Sequence, residues 1–215
     1  EPGGSERLCW EQISVPDPGP NEARVRHTAI DVNFHDTYVR SGQYKTLPLP
    51  GVPGLDAVGI VEEVGPGTAG VAVGDRVVYI DMSYGAYAEV RNVPASLLLL
   101  VPDAIGDEAA AAITLKGMTA CMLLRRVHKI VPGQVILVQA AAGATGQLLC
   151  RWAKHLGATV IGTAGSPEKA AVAKDCGADH TILYRSESFP ERVREITGGR
   201  GVDVAFDSVG KDTFL

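Results

Sequence analysis

The sequence has no hydrophobic run that approaches the roughly 18 apolar residues that a membrane-spanning helix needs. The run LLLLV at 97–101 stops at Pro102 and Asp103, and its length predicts a buried strand. A strong excess of charge is also missing, because 20 Lys and Arg oppose 25 Asp and Glu, for a net charge of -5 in 215 residues. This balance gives no overall attraction to phosphate backbones or anionic lipids. We therefore expect neither a membrane nor a nucleic acid as partner.

Cysteine is scarce and scattered, at positions 9, 121, 150 and 176. No two cysteines form a C-x-x-C pair and no histidine stands at zinc-finger spacing from one, so a structural zinc site is not expected. Free cysteines are usually buried, and we predict buried, reduced thiols. Reduced thiols fit a cytoplasmic location. The five histidines form no cluster, and each is predicted to be structural or exposed.

Short runs of β-branched residues, separated by Gly, Pro and Asp, dominate the first half of the chain. They include EARVRHTAI, AVGIVEEVG, GDRVVYI and AYAEVRNV. This pattern is typical of an antiparallel, barrel-like β domain with tight turns.

Strand and helix signals alternate in the second half, from VILVQ and QLLCRWAKHL to FPERVREIT and VDVAFD. Repeated β-α-β signals predict a parallel sheet covered by helices. A segment rich in Ala, Leu and Met, 107–128, is predicted to be a helix that connects the two parts. The predicted fold class is therefore α/β, with domains at 1–112 and 113–215.

The stretch AAGATG at 141–146 lies between the predicted strand VILVQ and the predicted helix QLLCRWAKHLG. It matches the pattern G-x-G-x-x-G with Ala141 in place of the first glycine. Gly143 would let the backbone approach a pyrophosphate, Gly146 would let the helix pack on the strand, and the helix N-terminus would attract the anion. A merely tight turn is the alternative, but the position in a β-α-β series favours a dinucleotide site.

The end of the next strand distinguishes NADP from NAD, because an acidic residue there would hold the ribose hydroxyls. Here TVIGT runs into AGSPEK, so that Ala164, Gly165 and Ser166 occupy the strand end and Lys169 follows within a turn. An ammonium group beside small residues would accept a 2'-phosphate that a carboxylate would repel. Glu168 argues slightly the other way, but at the start of a helix it can point to solvent. Although Lys169 alone could be a solvated helix residue, together these residues predict NADPH as the cofactor.

Eight ordered stretches resemble the zinc-independent NADPH:quinone oxidoreductases, the zeta-crystallin-like branch of the medium-chain dehydrogenase/reductase superfamily. They are VNFHDTYVRSGQY at 32–44, PGLDAVGIVEEVGPG at 53–67, GDRVVY at 74–79, LKGMTACMLLRR at 115–126, QAAAGATG at 139–146, IGTAGSPEKA at 161–170, ILYR at 182–185 and EITGGRGVDVAFDSVGKDTF at 195–214. The resemblance implies a GroES-like N-terminal β-barrel domain followed by a Rossmann-type domain, with NADPH and the substrate in the cleft between them. It also implies direct reduction of quinones with hydride from NADPH.

When the cofactor-binding residues of the family are carried over by position, the resemblance implies cofactor contacts throughout the second domain. Gly165, Lys169 and Tyr184 match the 2'-phosphate pocket of the family, although Tyr184 could instead be an ordinary strand aromatic. Ala144 and Thr145 match the pyrophosphate loop, beside the motif glycines Gly143 and Gly146. Thr119 matches a residue near the nicotinamide ribose, and Ser208 and Val209 match a further cofactor contact.

Zinc-using relatives place a Cys in an early loop and a Gly-His-Glu further on, which this sequence does not match. Gly54, Leu55 and Asp56 stand at the second position, and no Cys lies between Trp10 and Ala120. Because leucine cannot ligate a metal, no zinc is expected. This disfavours a reaction that needs a Lewis acid to polarise an alcohol, whereas hydride delivery to an acceptor that is already electrophilic, a quinone or a conjugated carbonyl, stays feasible.

Asn33, Asp36, Tyr38 and Tyr44 crowd the segment that resembles the substrate loop of the family. A phenol or an amide there could bind the acceptor oxygen, where negative charge develops as hydride arrives. We predict Tyr44 as this donor and Asn33 as the residue that orients the nicotinamide side, with Asp36 and Tyr38 as further catalytic candidates. The alternative is that these side chains only satisfy their own loop.

The sequence runs from Glu1 to Leu215, whereas the resemblance implies an earlier strand and a further C-terminal segment. We therefore expect a chain truncated at both ends and a homodimer in the full-length form. Two other functions stay open. One is an alkenal, enone or enoyl-thioester reductase on the same scaffold, and the other is a non-catalytic NADPH-binding protein of crystallin type.

Overall fold

The computed structural model describes residues 1–210 and Thr213. The chain forms two compact units, Glu1–Leu115 and Lys116–Leu215.

An antiparallel five-stranded sheet forms the first unit, in the order β4-β1-β2-β3-β5. Its strands are β1 (Glu22–Ile30), β2 (Asp56–Val64), β3 (Arg76–Ile80), β4 (Val90–Pro94) and β5 (Leu99–Leu100). Helix α1 (Phe34–Ser41) and the first half of α2 (Asp107–Met122) belong to the same unit. The antiparallel arrangement predicted for the first half of the chain is confirmed.

The core of the first unit comes from alternating strand residues. Ala23 and Val25 of β1 are fully buried, while Arg26 is exposed. β1 and β2 approach so closely at Gly59 that a Cβ there would lie 2.2 Å from the carbonyl oxygen of Arg26, which explains a glycine inside a strand.

The prediction of a buried strand at LLLLV is wrong. Leu99 and Leu100 form a two-residue strand at the edge of the sheet and are 56% and 60% exposed. Leu98 and Val101 on either side are buried. A continuous apolar run does not reveal which side chains face the core, because the strand is too short and too close to the edge to be covered on both faces.

His27 is a partly buried histidine of the first sheet, held by two hydrogen bonds. Its Nδ1 lies 2.6 Å from the carbonyl oxygen of Ala88, to which it donates, and its Nε2 lies 2.8 Å from the hydroxyl of Tyr79. Burial lowers the pKa of His27 below its ordinary value of 6.5, and the positive charge of Arg91 lowers it further, against the hydrogen bond to Ala88. The folded state therefore favours the neutral ring.

We expect this neutral ring to make the stability of the protein pH-dependent. Because the pKa of His27 is lower in the folded state, the unfolded chain binds the proton more readily, and the free energy of unfolding falls as the pH drops below about 6.5. Urea unfolding at about pH 7.5 and about pH 5.5 measures the loss. His27→Gln should reduce this loss, whereas His155→Gln, at an exposed position, should retain it. An equal loss in the His27 variant would contradict the assignment.

A parallel four-stranded sheet forms the second unit, in the order β8-β7-β6-β9. Its strands are β6 (Val135–Val138), β7 (Thr159–Ala164), β8 (His180–Leu183) and β9 (Val204–Phe206), and its helices are α3 (Ala144–His155), α4 (Pro167–Asp175) and α5 (Phe189–Ile196). Helix α2 continues into a π-helical turn, Leu123–Val127, before β6. The parallel β-α-β series and the helix at 107–128 were both predicted and are confirmed.

The core of the second unit includes the apolar face of α3. Leu149 is buried there, and Leu148, Trp152 and Leu156 pack against the same cluster, as the sequence predicted.

In the described part of the chain, no helix combines the length and the apolar character that a bilayer span requires.

The four cysteines are free, but only two of them are buried. Cys150 and Cys176 lie in the core, where burial raises the pKa of Cys150 to about 12. Cys9 and Cys121 are exposed, so the prediction of burial is wrong for them. Cys121 lies on α2 between Met118 and Met122, which are exposed too.

Candidate functional site

The glycine-rich loop connects the end of β6 to the start of α3. Gly143 is the N-cap residue of α3, and no side chain caps the helix. The N–H groups of the first turn therefore have no side-chain acceptor, and together with the helix dipole they favour an anion. Ala140 adopts a left-handed backbone (φ +51°), and its carbonyl accepts the N–H of Gly143 at 2.8 Å. These contacts keep the loop tight.

The two glycines of the loop differ in what surrounds them. A Cβ on Gly146 would lie 2.4 Å from the carbonyl oxygen of Ala140 and 2.9 Å from Cα of Ala141, so that only glycine lets α3 pack on the loop. A Cβ on Gly143 would lie 3.1 Å from the same carbonyl oxygen, which is tight but not prohibitive. The geometry thus gives Gly146 the packing role predicted for it, while contact with a cofactor stays a prediction for both residues.

A pair of buried polar side chains lies at the carboxyl ends of β6 and β7. The hydroxyl of Thr163 donates to Oε1 of Gln139, and both residues are buried. They line a cavity of about 370 Å³ together with Tyr184, Phe189 and Val209, among others. Polar groups in a partly apolar cavity of this size are typical of small-molecule sites. Sequence reasoning missed this pair, although a polar residue that ends the apolar strand VILVQ could have indicated it.

The end of β7 carries most of the residues predicted for a 2'-phosphate. A Cβ on Gly165 would lie 2.6 Å from the hydroxyl of Tyr184, so glycine leaves room for the phenol. Ser166 caps α4 by accepting the N–H of Lys169 at 3.4 Å. The side chains of Lys169 and Tyr184 are exposed. The structure therefore brings Gly165 and Tyr184 together and places Lys169 in the adjoining first turn.

Glu168 lies in the first turn of α4 and is exposed, in line with the expectation that it can point to solvent. Its carboxyl accepts a hydrogen bond from the side chain of Ser166 and a further one from its own backbone N–H, and these bonds lower its pKa. The negative charge of Glu168 therefore lies close to the N-cap of α4.

The loop after β9 is organised by Asp207, which sequence reasoning missed. Its Oδ1 accepts the N–H groups of Val209 at 2.7 Å and Gly210 at 3.1 Å, and its Oδ2 accepts the hydroxyl of Thr213 at 2.6 Å. Burial tends to raise the pKa of Asp207, but these hydrogen bonds lower it overall. Ser208 and Val209 are exposed on this loop, and Val209 lines the cavity.

Thr119, the remaining residue predicted for the cofactor, lies half-buried near the end of α2. Its proposed contact with the nicotinamide ribose stays a prediction.

Asn33 and Asp36 shape the start of α1. They form a capping box, in which the N–H of Asn33 donates to Oδ2 of Asp36 at 2.8 Å. Nδ2 of Asn33 also donates to Oδ1 of Asp56 at 2.7 Å, and the hydroxyl of Tyr87 donates to Asp36 at 3.0 Å. Burial and then the charge of Asp36 raise the pKa of Tyr87. The two residues therefore hold the loop together, and a catalytic part for either stays a prediction.

Tyr38 and Tyr44 belong to an aromatic cluster of the first unit. Their ring centroids are 5.2 Å apart, and the Tyr44 ring meets the His35 ring edge-on at 5.3 Å. His35 Nε2 lies 3.0 Å from the hydroxyl of Tyr84, which is also hydrogen-bonded to Thr46. Tyr84 is buried with a left-handed backbone (φ +68°), a conformation that tends to occur at functional sites. The sequence contained no signal for this His35–Tyr84 contact.

Two family models match the chain. The alcohol dehydrogenase GroES-like domain matches residues 19–103, and the zinc-binding dehydrogenase family matches residues 144–215.

Individual relatives match nearly the whole chain. A 2-haloacrylate reductase from Burkholderia sp is 49% identical over 216 residues, covering 98% of this chain and 65% of that protein. A quinone oxidoreductase from Salmonella typhimurium is 49% identical over 212 residues, covering 99% of this chain and 65% of that protein. The crystal structure of Escherichia coli quinone oxidoreductase complexed with NADPH has a TM-score of 0.96 at 46% identity, covering 99% of this chain and 65% of that one. The chain thus spans about 65% of the length of these curated relatives.

A GroES-like antiparallel unit followed by a parallel sheet with a glycine-rich loop defines the class of two-domain dehydrogenases and reductases. Within that class, the chain belongs to the medium-chain dehydrogenase/reductase superfamily. The predicted α/β class and the predicted order of a GroES-like domain before a Rossmann-type domain are confirmed.

The description of the second family model implies zinc, and the residues present do not fit it. Leu55 stands where zinc-using relatives have a histidine. Its side chain is buried and has no atom that can bind a metal ion. The neighbouring Asp56 is fully buried and accepts the amide of Asn33. Within residues 1–210 and Thr213, no three His, Cys, Asp or Glu side chains are grouped so as to hold a metal ion.

Proposed function

We propose that the protein is an NADPH:quinone oxidoreductase that reduces its acceptor by direct hydride transfer. The observation that carries this proposal is the end of β7, where Gly165 makes room for the phenol of Tyr184 and the exposed Lys169 follows in the next turn. A 2'-phosphate would meet a hydroxyl and a cation there. The similarity to quinone oxidoreductases, one of them complexed with NADPH, supports the proposal.

The second unit fits NADPH along the carboxyl edge of its sheet. The cavity beside Gln139 and Thr163 has the size and mixed polarity to receive the adenosine end. The uncapped first turn of α3 would bind the pyrophosphate. When bound, NADPH supplies a hydride from C4 of its nicotinamide ring. The residues proposed to hold the cofactor are Thr119, Gly143, Ala144, Thr145, Gly146, Gly165, Lys169, Tyr184, Ser208 and Val209.

The residues of the first unit would act on the acceptor. Tyr44 is 43% exposed, so that its hydroxyl can reach a bound ligand, and its ring contacts the rings of Tyr38 and His35. We assign to Tyr44 a hydrogen bond to the acceptor oxygen, where negative charge develops. Asn33 would orient the nicotinamide side, while Asp36 and Tyr38 would fix the loop around both.

The proposal extends to the setting of the enzyme. We expect a cytoplasmic protein that uses no metal, because its cysteines are free thiols and Leu55 offers no ligand. We also expect the full-length form to be a homodimer, as the resemblance to the family implies. Sedimentation of the full-length protein tests the dimer.

Oxidation of NADPH and NADH, measured with a quinone, an enone, an enoyl thioester and 2-haloacrylate, tests the proposed reaction. We expect a quinone to be the preferred acceptor and NADPH the preferred donor. Faster turnover of 2-haloacrylate or another conjugated acceptor would favour the alternative reductase. Tight NADPH binding without oxidation by any acceptor would favour a binding protein, and no binding of NADPH would overturn the proposal.

Replacement of Tyr44 by phenylalanine tests the role of its hydroxyl. We expect Tyr44→Phe to lower kcat on a quinone by about 100-fold, the usual effect of removing one donor from a developing oxyanion. The dissociation constant for NADPH and the melting temperature should stay unchanged, because Tyr44 is not among the residues proposed to hold the cofactor and phenylalanine keeps the ring that contacts Tyr38 and His35. Unchanged kcat would remove Tyr44 from the mechanism.

A further inference from the structure

We propose that Arg185 is a specificity-determining residue, a second cation that acts with Lys169 to select NADPH over NADH. This inference rests on the proposed function, and it assigns a role to a side chain for which the sequence pattern indicated none.

The register of the parallel sheet places Arg185 beside the turn at the end of β7. Leu183, the last residue of β8, pairs with Ala164, the last residue of β7, and the N–H of Tyr184 donates to the carbonyl of Ala164 at 3.2 Å. The next residue, Arg185, therefore leaves the sheet directly beside Gly165. The position that a Cβ of Gly165 would occupy lies 2.6 Å from the hydroxyl of Tyr184 and 3.5 Å from Nε of Arg185. The phenol and the guanidinium thus meet over the same glycine.

No residue in the described part of the chain neutralises the charge of Arg185. Among the described residues, its guanidinium forms no ion pair within 4.0 Å and no hydrogen bond, and the residue is exposed. The nearest acidic residue along the chain, Glu187, is already used: its Oε2 accepts the N–H of Leu183 at 2.7 Å, and its Oε1 pairs with Arg192 at 3.0 Å. An unpaired guanidinium beside an open glycine is suited to a phosphate.

The chemistry of the guanidinium group strengthens the assignment. Arginine presents a planar fork of donors that matches two phosphate oxygens, whereas the ammonium of a lysine acts as a compact point charge. Two cations and a phenol would also offset the carboxylate of Glu168, which lies close to the neighbouring N-cap. Arg185 would therefore supply geometry as well as charge, and a ligand without the 2'-phosphate would gain little from it.

Binding measurements on single variants test this role without reference to turnover. The dissociation constants of NADPH, NADH, 2',5'-ADP and 5'-AMP would be measured by calorimetry for wild type, Arg185→Gln and Arg185→Lys. We expect Arg185→Gln to weaken the binding of NADPH and 2',5'-ADP by about 10-fold, the usual loss for a hydrogen bond to a charged group. The affinities for NADH and 5'-AMP should stay unchanged. Arg185→Lys should give an intermediate loss, because it keeps the charge but loses the fork.

Arg194→Gln is the matched control, since Arg194 is an exposed arginine of α5 outside the cavity lining. It should bind all four ligands as wild type does. Equal binding of NADPH and NADH by the wild-type protein would overturn the proposed function itself. A wild-type preference for NADPH that Arg185→Gln retains in full would overturn the role of Arg185 alone.

Discussion

Replacing Gly146 with alanine is expected to destabilise the second unit strongly. The new Cβ would lie 2.4 Å from the carbonyl oxygen of Ala140 and 2.9 Å from Cα of Ala141, and both are backbone atoms that cannot rotate away. α3 would have to move off the loop, at a cost of about 3 kcal/mol, the upper range for overpacked sites. This is a large part of the stability of an ordinary domain. NADPH binding should fall with it, because the first turn of α3 would leave its position.

Denaturant unfolding followed by tryptophan fluorescence measures this effect. Trp152 packs against the core of the second unit and reports on it, while Trp10 is 92% exposed and can be replaced by phenylalanine to remove its background. Gly143→Ala is the control, because Gly143 has an ordinary φ of -69° and a Cβ there meets its neighbour at 3.1 Å. It should fold within about 1 kcal/mol of wild type and yet bind NADPH less tightly. Unchanged stability of Gly146→Ala would contradict the packing argument.

Reversing the charge of Lys169 is expected to invert the cofactor preference. Lys169 is the third residue of α4, three positions after the N-cap Ser166. Lys169→Glu would therefore complete a capping box and suit the helix dipole, so the fold should be retained. The new carboxylate would repel a 2'-phosphate and accept ribose hydroxyls instead. We expect NADPH to bind about 100-fold more weakly or worse, and NADH to bind equally well or better.

Lys174→Glu is the control that separates the effect of where the new carboxylate lies from the effect of the changed net charge. Lys174 lies in the last turn of the same helix, so this variant makes the same change of net charge at the other end of α4. It should destabilise the helix slightly, because a carboxylate is unfavourable at a helix C-terminus, and should leave the ratio of the two cofactor affinities unchanged. If both variants shift the ratio equally, the effect is long-range and Lys169 does not contact the phosphate. Calorimetry at two ionic strengths measures both variants.

Much of the fold could be predicted because the signals for it are local. The alternation of Ala23 and Val25 with arginines along β1 predicts a strand with one buried face, and the spacing of Leu149 and Trp152 predicts one face of α3. Local signals are weaker for burial at an edge. For this reason the burial of Leu99 and Leu100 was predicted wrongly. Residue type alone also failed to show that Cys9 and Cys121 are exposed.

The candidate site was only partly predictable, because many of its contacts join distant segments. Gln139 meets Thr163 across 24 residues, and Tyr87 meets Asp36 across 51. A sequence pattern identifies a buried polar residue at best, and its partner is decided by which strands become neighbours. The same holds for Arg185, whose place beside Gly165 follows from the pairing of β7 with β8.

The amino-acid sequence alone determined that the first sheet is antiparallel and the second parallel. It also determined the glycine-rich turn and the small residues that precede Lys169 at the end of β7. Each of these depends on backbone geometry and side-chain size within a few neighbouring residues. Only the tertiary structure decided that His35 would contact Tyr84 and that a phenol and a guanidinium would share the space above Gly165. Strand pairing and packing bring those groups together from separate segments, and the free energy of such contacts exists only once the chain has folded.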